Sequence, residues 1–227
     1  MGLMNIVSAW RAESLLNKTL DEFVKMLEDC HWMFQQAVVG VWESDDTAGI
    51  KQAIRARDIQ VNQAERSIRK KIVQHLAMQP DVATNYCLVL MSVTKDAERL
   101  GDYAKNMIEV AEYHPTYEDD NPMVGRLKAT QATIDTMFLK GGQAFRDSDA
   151  HMGAELVRTM TATTEECDRL IWKILETEGL NTAQAMCYGL LARHCKRFAA
   201  HLGNIATSLV MPIHKLDYFD EDAVDRD

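Results

Sequence analysis

An apolar residue recurs at every third or fourth position over the first long segment of this chain, and this regularity constrains the fold most. The series is Leu16, Leu20, Phe23, Leu27, Cys30, Phe34, Ala37 and Val41. Spacings that alternate between four and three place these side chains on one stripe of an α-helix. The pattern therefore predicts a long helix, from about residue 13 to residue 41, that packs at a shallow angle against other helices.

Five further segments follow helical patterns. We expect them at residues 47–78, 84–112, 123 onward with a pause at Gly141 and Gly142, 149–178 and 182–211. Each of the first three helices would have about 30 residues and a length of about 45 Å. The chain of 227 residues contains only 11 Gly and 4 Pro, whereas an all-β chain needs many turns. The sequence therefore predicts an all-α protein of long antiparallel helices.

The clearest interruption lies between His114 and Pro122, where two prolines flank an acidic stretch. It divides the helices into two tandem three-helix bundles that we expect to pack together. We place the first bundle at residues 1–114, a linker at 115–122, the second bundle at 123–212 and an acidic tail at 213–227. Asp45 or Asp46 is expected to cap the second helix, and Pro80 and Pro212 to end the second and last helices.

The net charge argues against a nucleic-acid partner, and the distribution of charged residues argues against a membrane span. A formal net charge of −9 argues against nucleic acid, because phosphate backbones require clustered Lys and Arg. No run approaches 18 uncharged apolar residues, so we expect no membrane span. The first residues match neither a signal peptide nor a myristoylation signal, and we expect a cytoplasmic protein. The five cysteines form no C-x-x-C pair and are expected to be reduced core thiols.

The chain contains an internal repeat whose two copies differ in their acidic residues. Residues 96–102 read DAERLGD, and the frame returns 98 positions later, where Arg99 corresponds to Arg197, Leu100 to Phe198 and Asn106 to Asn204. Glu98 and Asp102 are replaced in the second copy by Lys196 and Ala200. The repeat therefore predicts a duplicated helical unit that keeps a carboxylate pair in its first copy alone.

Glu98 and Asp102 lie one helical turn apart, where two carboxylates repel each other unless a positive charge lies between them. A metal ion that prefers oxygen ligands would supply this charge, and Asp58 on the neighbouring helix would add a third carboxylate. Gly101 would allow a close approach. The alternative interpretation is an acidic face neutralised by Lys95, Arg99 and Lys105. Spacing alone favours the alternative, because the chain has 34 acidic residues.

Other motifs are weaker indications of a metal or catalytic site. Glu28 and His31 form a single E-x-x-H, whereas di-iron bundles need two copies and two further glutamates. His194 and His201 are seven residues apart and are expected to share a face in polar packing. No G-x-S-x-G, H-E-x-x-H or Walker sequence is present, so the sequence predicts no enzyme of these classes.

The segment DAERLGDYAKNMIE at residues 96–109, with Arg57-Asp58-Ile59 and Gln79-Pro80 before it, resembles the D-x-E-R-I-G-D-x-A-x-N signature of the PhoU family of phosphate-uptake regulators. The second copy, residues 190–206, is similar to the family's later repeat. The resemblance implies two tandem three-helix bundles with metal ions on their surfaces. It makes Asp58, Glu98 and Asp102 the ligands of iron, zinc, magnesium or manganese, with Asn62 where the family often has another Asp. Because Lys196 would repel a cation, we expect at most one site.

The resemblance also implies a function. We expect a non-enzymatic negative regulator of phosphate uptake and of the signalling linked to transcription. It would bind a phosphate transporter's ATPase or a phosphate-sensing histidine kinase, as a homodimer. Two alternatives remain: a regulator of a sodium/phosphate cotransporter, and a metal-storage or metal-dependent helical-bundle protein. A structural scaffold without metal is a further possibility.

Overall fold

The apolar stripes form the buried faces of six α-helices in a computed structural model of the chain. The structure describes residues 3–44, 46–113 and 121–216, with side chains from residue 15 onward. The helices are α1 (Leu3–Trp42), α2 (Thr47–Met78), α3 (Thr84–Ala111), α4 (Pro122–Asp147), α5 (Ala150–Glu176) and α6 (Thr182–Thr207), and a 3₁₀ turn follows at Ile213–Lys215. No strand occurs in these ranges, so the predicted all-α class is confirmed.

Helices α1, α2 and α3 pack on one another, as do α4, α5 and α6, which gives the two expected three-helix bundles. The bundles meet through α1 on α4 and through α3 on α6. Helices α2 and α5 contact helices of their own bundle alone within the described ranges. The predicted domain limits stay a prediction. Residues 115–120 of the proposed linker lie outside the described residues, as do tail residues 217–227.

One hydrophobic core runs through both bundles. Aromatic rings mark the junction: Phe34 of α1 lies 4.8 Å from Phe198 of α6 and 5.6 Å from Phe138 of α4, measured between ring centroids. The Phe34–Phe198 pair is edge-to-face and the Phe34–Phe138 pair is tilted, and aromatic contacts at such distances add to the energy of burial. The five cysteines are free and buried, as the sequence predicted.

Side-chain caps set several helix starts. Asp46 accepts a hydrogen bond from Gly49 N at 2.9 Å, so this residue of the two candidates caps α2. Asn121 caps α4 with Pro122 at the first helical position, and Asn181 and Gln184 form a capping box on α6. These polar side chains satisfy amide groups that have no partner within the helix.

Four details of the sequence prediction are wrong. Helix α1 begins at Leu3 rather than near residue 13. Helix α4 runs through Gly141 and Gly142 without a pause, because buried Phe138 and Phe145 on either side anchor it and two glycines cost a helix only about 1 kcal/mol each. Helices α5 and α6 end earlier, at residues 176 and 207. Part of the predicted tail is a 3₁₀ turn that packs on α3.

Candidate functional site

The apolar stripe of α2 includes two acidic residues. Its buried positions are Ile54, Asp58, Val61, Glu65, Ile68, Ile72 and His75. On α3, Glu98 is also buried, and Asp102 is partly exposed one turn further on. We call Asp58, Glu65, Glu98 and Asp102 the acidic cluster. Glu98 and Asp102 lie on the side of α3 that packs on α2.

Two lysines of α3 connect the acidic cluster across the α2–α3 contact. Lys105 Nζ lies 2.8 Å from Asp58 Oδ2 and 2.9 Å from Asp102 Oδ1. Lys95 Nζ lies 2.6 Å from Glu98 Oε2 and 3.9 Å from Glu65 Oε1. Each ammonium group therefore lies between one carboxylate of α2 and one of α3.

Further donors complete the neutralisation of the acidic cluster. Asn62 Nδ2 donates a hydrogen bond to Asp58 Oδ2 at 3.0 Å. Arg99 Nη1 lies 3.2 Å from Asp102 Oδ2, and Arg69 Nη1 lies 3.1 Å from Glu65 Oε1. Thus three basic residues named in the alternative interpretation, Lys95, Arg99 and Lys105, contact the acids as that interpretation requires.

The structure brings together two of the three predicted metal ligands. Asp58 and Asp102 converge on one cation, the Lys105 ammonium, whereas Glu98 binds Lys95. In the described part of the chain, no three His, Cys, Asp or Glu side chains form a group that could hold a metal ion. The oxygen ligands suit a hard cation in type, but their present arrangement does not fit a metal centre. Metal binding at Asp58, Glu98 and Asp102 stays a prediction.

Two titratable groups beside the acidic cluster have altered pKa values. Partial burial alone would lower the pKa of Lys105, but hydrogen bonds to Asp58 and Asp102 outweigh burial and raise it. Burial, with smaller contributions from Asp29 and Asp58, raises the pKa of the Cys30 thiol well above its usual range. Cys30 therefore stays protonated at neutral pH and donates to Ala97 O at 3.2 Å.

Gly101 does not need to be glycine for space. A Cβ at this position would lie 3.5 Å from Asp58 Oδ1, Met33 Cε and Val61 Cγ1, which are ordinary van der Waals distances. The buried Asp58 Oδ1 lies over this glycine and makes no hydrogen bond within the described residues. The close approach at Gly101 is therefore made by side chains of α1 and α2.

The second bundle has no equivalent acidic cluster. Lys196, which corresponds to Glu98, binds both oxygens of Asp168 at 2.6 and 2.7 Å. The buried positions of α2 and α5 align with a shift of 102, which takes Ile54 to Leu156, Ile68 to Leu170 and Ile72 to Ile174. Asp58 then corresponds to Met160. The buried positions thus establish which residues of α2 and α5 correspond.

In the second bundle, the place of the Asp58–Lys105 pair is apolar. Lys105 corresponds to Gly203, and a Cβ on Gly203 would overlap the Cβ and Cγ of Met160. The Met160 side chain therefore packs on the backbone of α6 at this point. Glu165, a nearby acid of α5, is exposed and pairs with Arg169.

The isolated E-x-x-H does not assemble into a metal site. Glu28 lies 3.3 Å from Arg146 Nη2, while His31 Nε2 lies 2.6 Å from Asp135 Oδ1 across the α1–α4 contact. His31 also stacks on Phe138. The two residues therefore have different partners, and both connect α1 to α4.

Sequence reasoning missed the polar contacts between the bundles. Asp96 of α3 is buried and accepts hydrogen bonds from His201 Nδ1 at 2.8 Å and Asn204 Nδ2 at 3.0 Å. His194 and His201 do share a face, and both rings pack on Tyr103. Burial, followed by the charge of Arg193, lowers the pKa of His194 to about 4, so this ring is neutral in the interface. The shift of 98 positions, which relates the residues of α3 to those of α6, was the one signal in the sequence that pointed to these contacts between the two helices.

Comparisons with known proteins agree with this architecture. Residues 23–111, which include the acidic cluster, match the family described as "PhoU domain". A protein of Synechocystis sp. named "Phosphate-specific transport system accessory protein PhoU homolog" is 25% identical over 153 residues, which cover 65% of this chain and 67% of that protein.

Two crystal structures share the fold. The phosphate transport system regulatory protein PhoU from Streptococcus pneumoniae aligns with a TM-score of 0.78 at 17% identity, over 87% of this chain and 94% of that chain. PhoU from Pseudomonas aeruginosa aligns with a TM-score of 0.77 at 19% identity, over 87% and 96% of the two chains. At these identities the two structures show a shared fold alone. The resemblance stated from the sequence is confirmed by the PhoU-domain match and by the relative from Synechocystis sp..

Proposed function

We propose that this chain, which carries a PhoU domain at residues 23–111 and has the fold of PhoU proteins, is a negative regulator of phosphate uptake. The PhoU domain is the observation that carries the proposal. The relative from Synechocystis sp., whose name makes it an accessory protein of a phosphate-specific transport system, supports the same process. Fold alone would be a weak argument for function, since one fold hosts many activities.

The proposed mechanism is contact between proteins rather than catalysis. Within the described ranges, the ionisable side chains of the α2–α3 contact neutralise one another. At the bundle junction, His31 pairs with Asp135 and His201 pairs with Asp96. These groups therefore stabilise helix packing and are not arranged around a substrate. Under this proposal, the partner protein binds to the outer surfaces of the helices.

The proposed partner is the ATPase of a phosphate transporter, or the histidine kinase that senses phosphate. A sodium/phosphate cotransporter is the alternative partner. We further propose that the protein acts in the cytoplasm as a homodimer. None of the described helices is long and apolar enough to cross a membrane.

A tagged full-length chain, used as bait in extracts of phosphate-replete and phosphate-starved cells, tests the proposal. We expect a transporter ATPase or sensor kinase among the captured proteins, and more of it from replete cells. Deletion of the gene should raise phosphate uptake in replete medium, and the wild-type chain should restore it. Unchanged uptake together with no transporter or kinase capture would contradict the proposed function.

Light scattering on the purified chain tests the homodimer separately from the partner. Metal analysis of the same preparation, compared with Glu98→Ala, tests the metal prediction. A storage protein should carry several ions for each chain, whereas a regulator should carry few or none. No arrangement of ligands in the described residues favours the storage alternative.

A further inference from the structure

The acidic cluster contains its own cations. Lys105 Nζ lies within 3 Å of carboxylate oxygens from both Asp58 and Asp102, and Lys95 lies between Glu98 and Glu65. The two ammonium groups come from the same helix, α3, and each is shared between α3 and α2. The four carboxylates are thus joined in two pairs, and each pair shares a positive charge.

A metal ion at Asp58 and Asp102 would compete directly with Lys105. The side chain of Asp58 is 12% exposed and that of Lys105 is 28% exposed, so their interaction is weakened by water less than that of a surface pair. An entering divalent ion would take the same oxygens and would repel the displaced ammonium group. Binding would therefore carry a penalty that a cluster without the lysine does not have.

The second bundle also fills the corresponding place with its own side chains. Met160 packs on Gly203 where the first bundle has Asp58 and Lys105. Lys196 is held by the two oxygens of Asp168 at the position of Glu98. Neither bundle therefore leaves an open group of carboxylates between its second and third helices within the described residues.

We propose that Lys105 and Lys95 are the resident cations of the first bundle and take the place of a metal ion at the acidic cluster. The α2–α3 contact then forms without metal, and Lys105 excludes divalent ions from the oxygens of Asp58 and Asp102. This inference opposes the metal site expected from the family resemblance, and it does not depend on the identity of the partner protein.

Titration of Mn²⁺ into three purified full-length proteins tests the proposal. Manganese suits oxygen ligands, and its binding is followed by calorimetry and by paramagnetic resonance. Wild type should bind Mn²⁺ weakly, whereas Lys105→Met, which keeps an unbranched side chain only one atom shorter and removes its charge, should bind at least about tenfold more tightly. The matched control is Lys196→Met, which removes a lysine held by a single carboxylate and should bind no better than wild type.

Thermal unfolding with EDTA or with Mn²⁺ gives a second readout that does not depend on a function assay. The melting temperature of wild type should be the same in both, and that of Lys105→Met should rise with Mn²⁺. If Lys105→Met is too unstable to purify without metal, recovery of folded protein on Mn²⁺ addition supports the proposal, and failure to recover it contradicts the proposal.

Two other outcomes overturn the inference. Tight stoichiometric Mn²⁺ binding by wild type, lost in Asp58→Asn, would establish the metal site expected from the resemblance. Equal weak binding by wild type and Lys105→Met would show that the lysine does not exclude the ion. Both outcomes are distinct from failure of the regulatory proposal, which is decided by partner capture and phosphate uptake.

Discussion

Tyr103 and His201 occupy equivalent positions in the two repeats and stack on each other, with ring centroids 5.6 Å apart and planes inclined by 27°. They correspond through the same shift of 98 positions that relates Leu100 to Phe198. Because each residue contacts its own counterpart, α3 and α6 cross near an approximate two-fold axis between the bundles. The duplicated unit has therefore associated with its copy within one chain.

The same symmetry relates two contacts on either side of the stacked pair. Exchange of the repeats converts Asp96 and His201 into His194 and Tyr103. Both pairs are in contact, the first by a hydrogen bond of 2.8 Å and the second by rings 6.1 Å apart. The two sides have diverged chemically, so the carboxylate lies on one side of the axis.

Replacement of Asp96 by Ala should destabilise the protein by about 1–3 kcal/mol, because His201 and Asn204 would lose their acceptor in a largely buried contact. Urea unfolding at neutral pH measures the change. Glu176→Ala is the control, since the Lys173–Glu176 pair is exposed and should contribute less than about 1 kcal/mol. Equal effects of the two substitutions would mean that Asp96 contributes no more than a surface residue.

Two glycines of helix interiors should respond to Ala in opposite directions. Gly142→Ala should stabilise by about 0.5–1 kcal/mol, because no atom lies within 4 Å of the added Cβ and Ala favours the helix. Gly203→Ala should destabilise by about 1–3 kcal/mol, since the Cβ would overlap the Cβ and Cγ of Met160. Thermal unfolding of the two variants compares them directly. A stable Gly203→Ala protein would show that Met160 moves away at little cost.

The start of α2 depends on the Asp46 carboxylate. Asp46→Ala should cost about 0.5–2 kcal/mol, because Gly49 N would lose its hydrogen-bond acceptor at 2.9 Å. Asp46→Asn keeps an acceptor oxygen at the same place and should stay near wild type. Chemical denaturation of all three proteins measures these differences. A loss of similar size in the Asn variant would assign the effect to charge at the helix terminus instead of capping.

Lys105 should contribute a pH-dependent part of stability at high pH. Its pKa in the folded protein is raised above 10.5, because hydrogen bonds to Asp58 and Asp102 outweigh its partial burial. A raised pKa means that the contribution is fully present below about pH 10.5 and is lost as pH rises through the folded-state pKa. Above about pH 10.5, wild type should therefore lose stability more steeply than Lys105→Met.

Urea midpoints at closely spaced pH values measure this difference. Other lysines and tyrosines titrate in the same range, so the comparison is between slopes of the two proteins and not between absolute stabilities. Identical slopes would show that the Asp58 and Asp102 carboxylates do not hold the Lys105 ammonium group in solution.

The sequence predicted the helices well because their signals are local. The alternating apolar spacing and Pro80 placed α2 at its observed residues, and few glycines and prolines excluded a β-rich fold. The sequence failed at Gly141 and Gly142, where contacts of Phe138 and Phe145 with the rest of the core outweigh the weak helix propensity of glycine. The sequence also failed to predict the start of α1 at Leu3, because the regular apolar series begins only at Leu16.

What the sequence determined by itself was that Lys196 and Ala200 in the second repeat replace two acidic residues of the first, Glu98 and Asp102, to which Asp58 adds a third. Which basic side chains pair with these acids was decided by the tertiary structure. Spacing fixes the position of a side chain along one helix, but the partner of a carboxylate depends on how neighbouring helices are rotated and on which long side chain reaches across. Packing of α2 on α3 places the Lys105 ammonium between Asp58 and Asp102, and no local pattern could have assigned this lysine to both carboxylates.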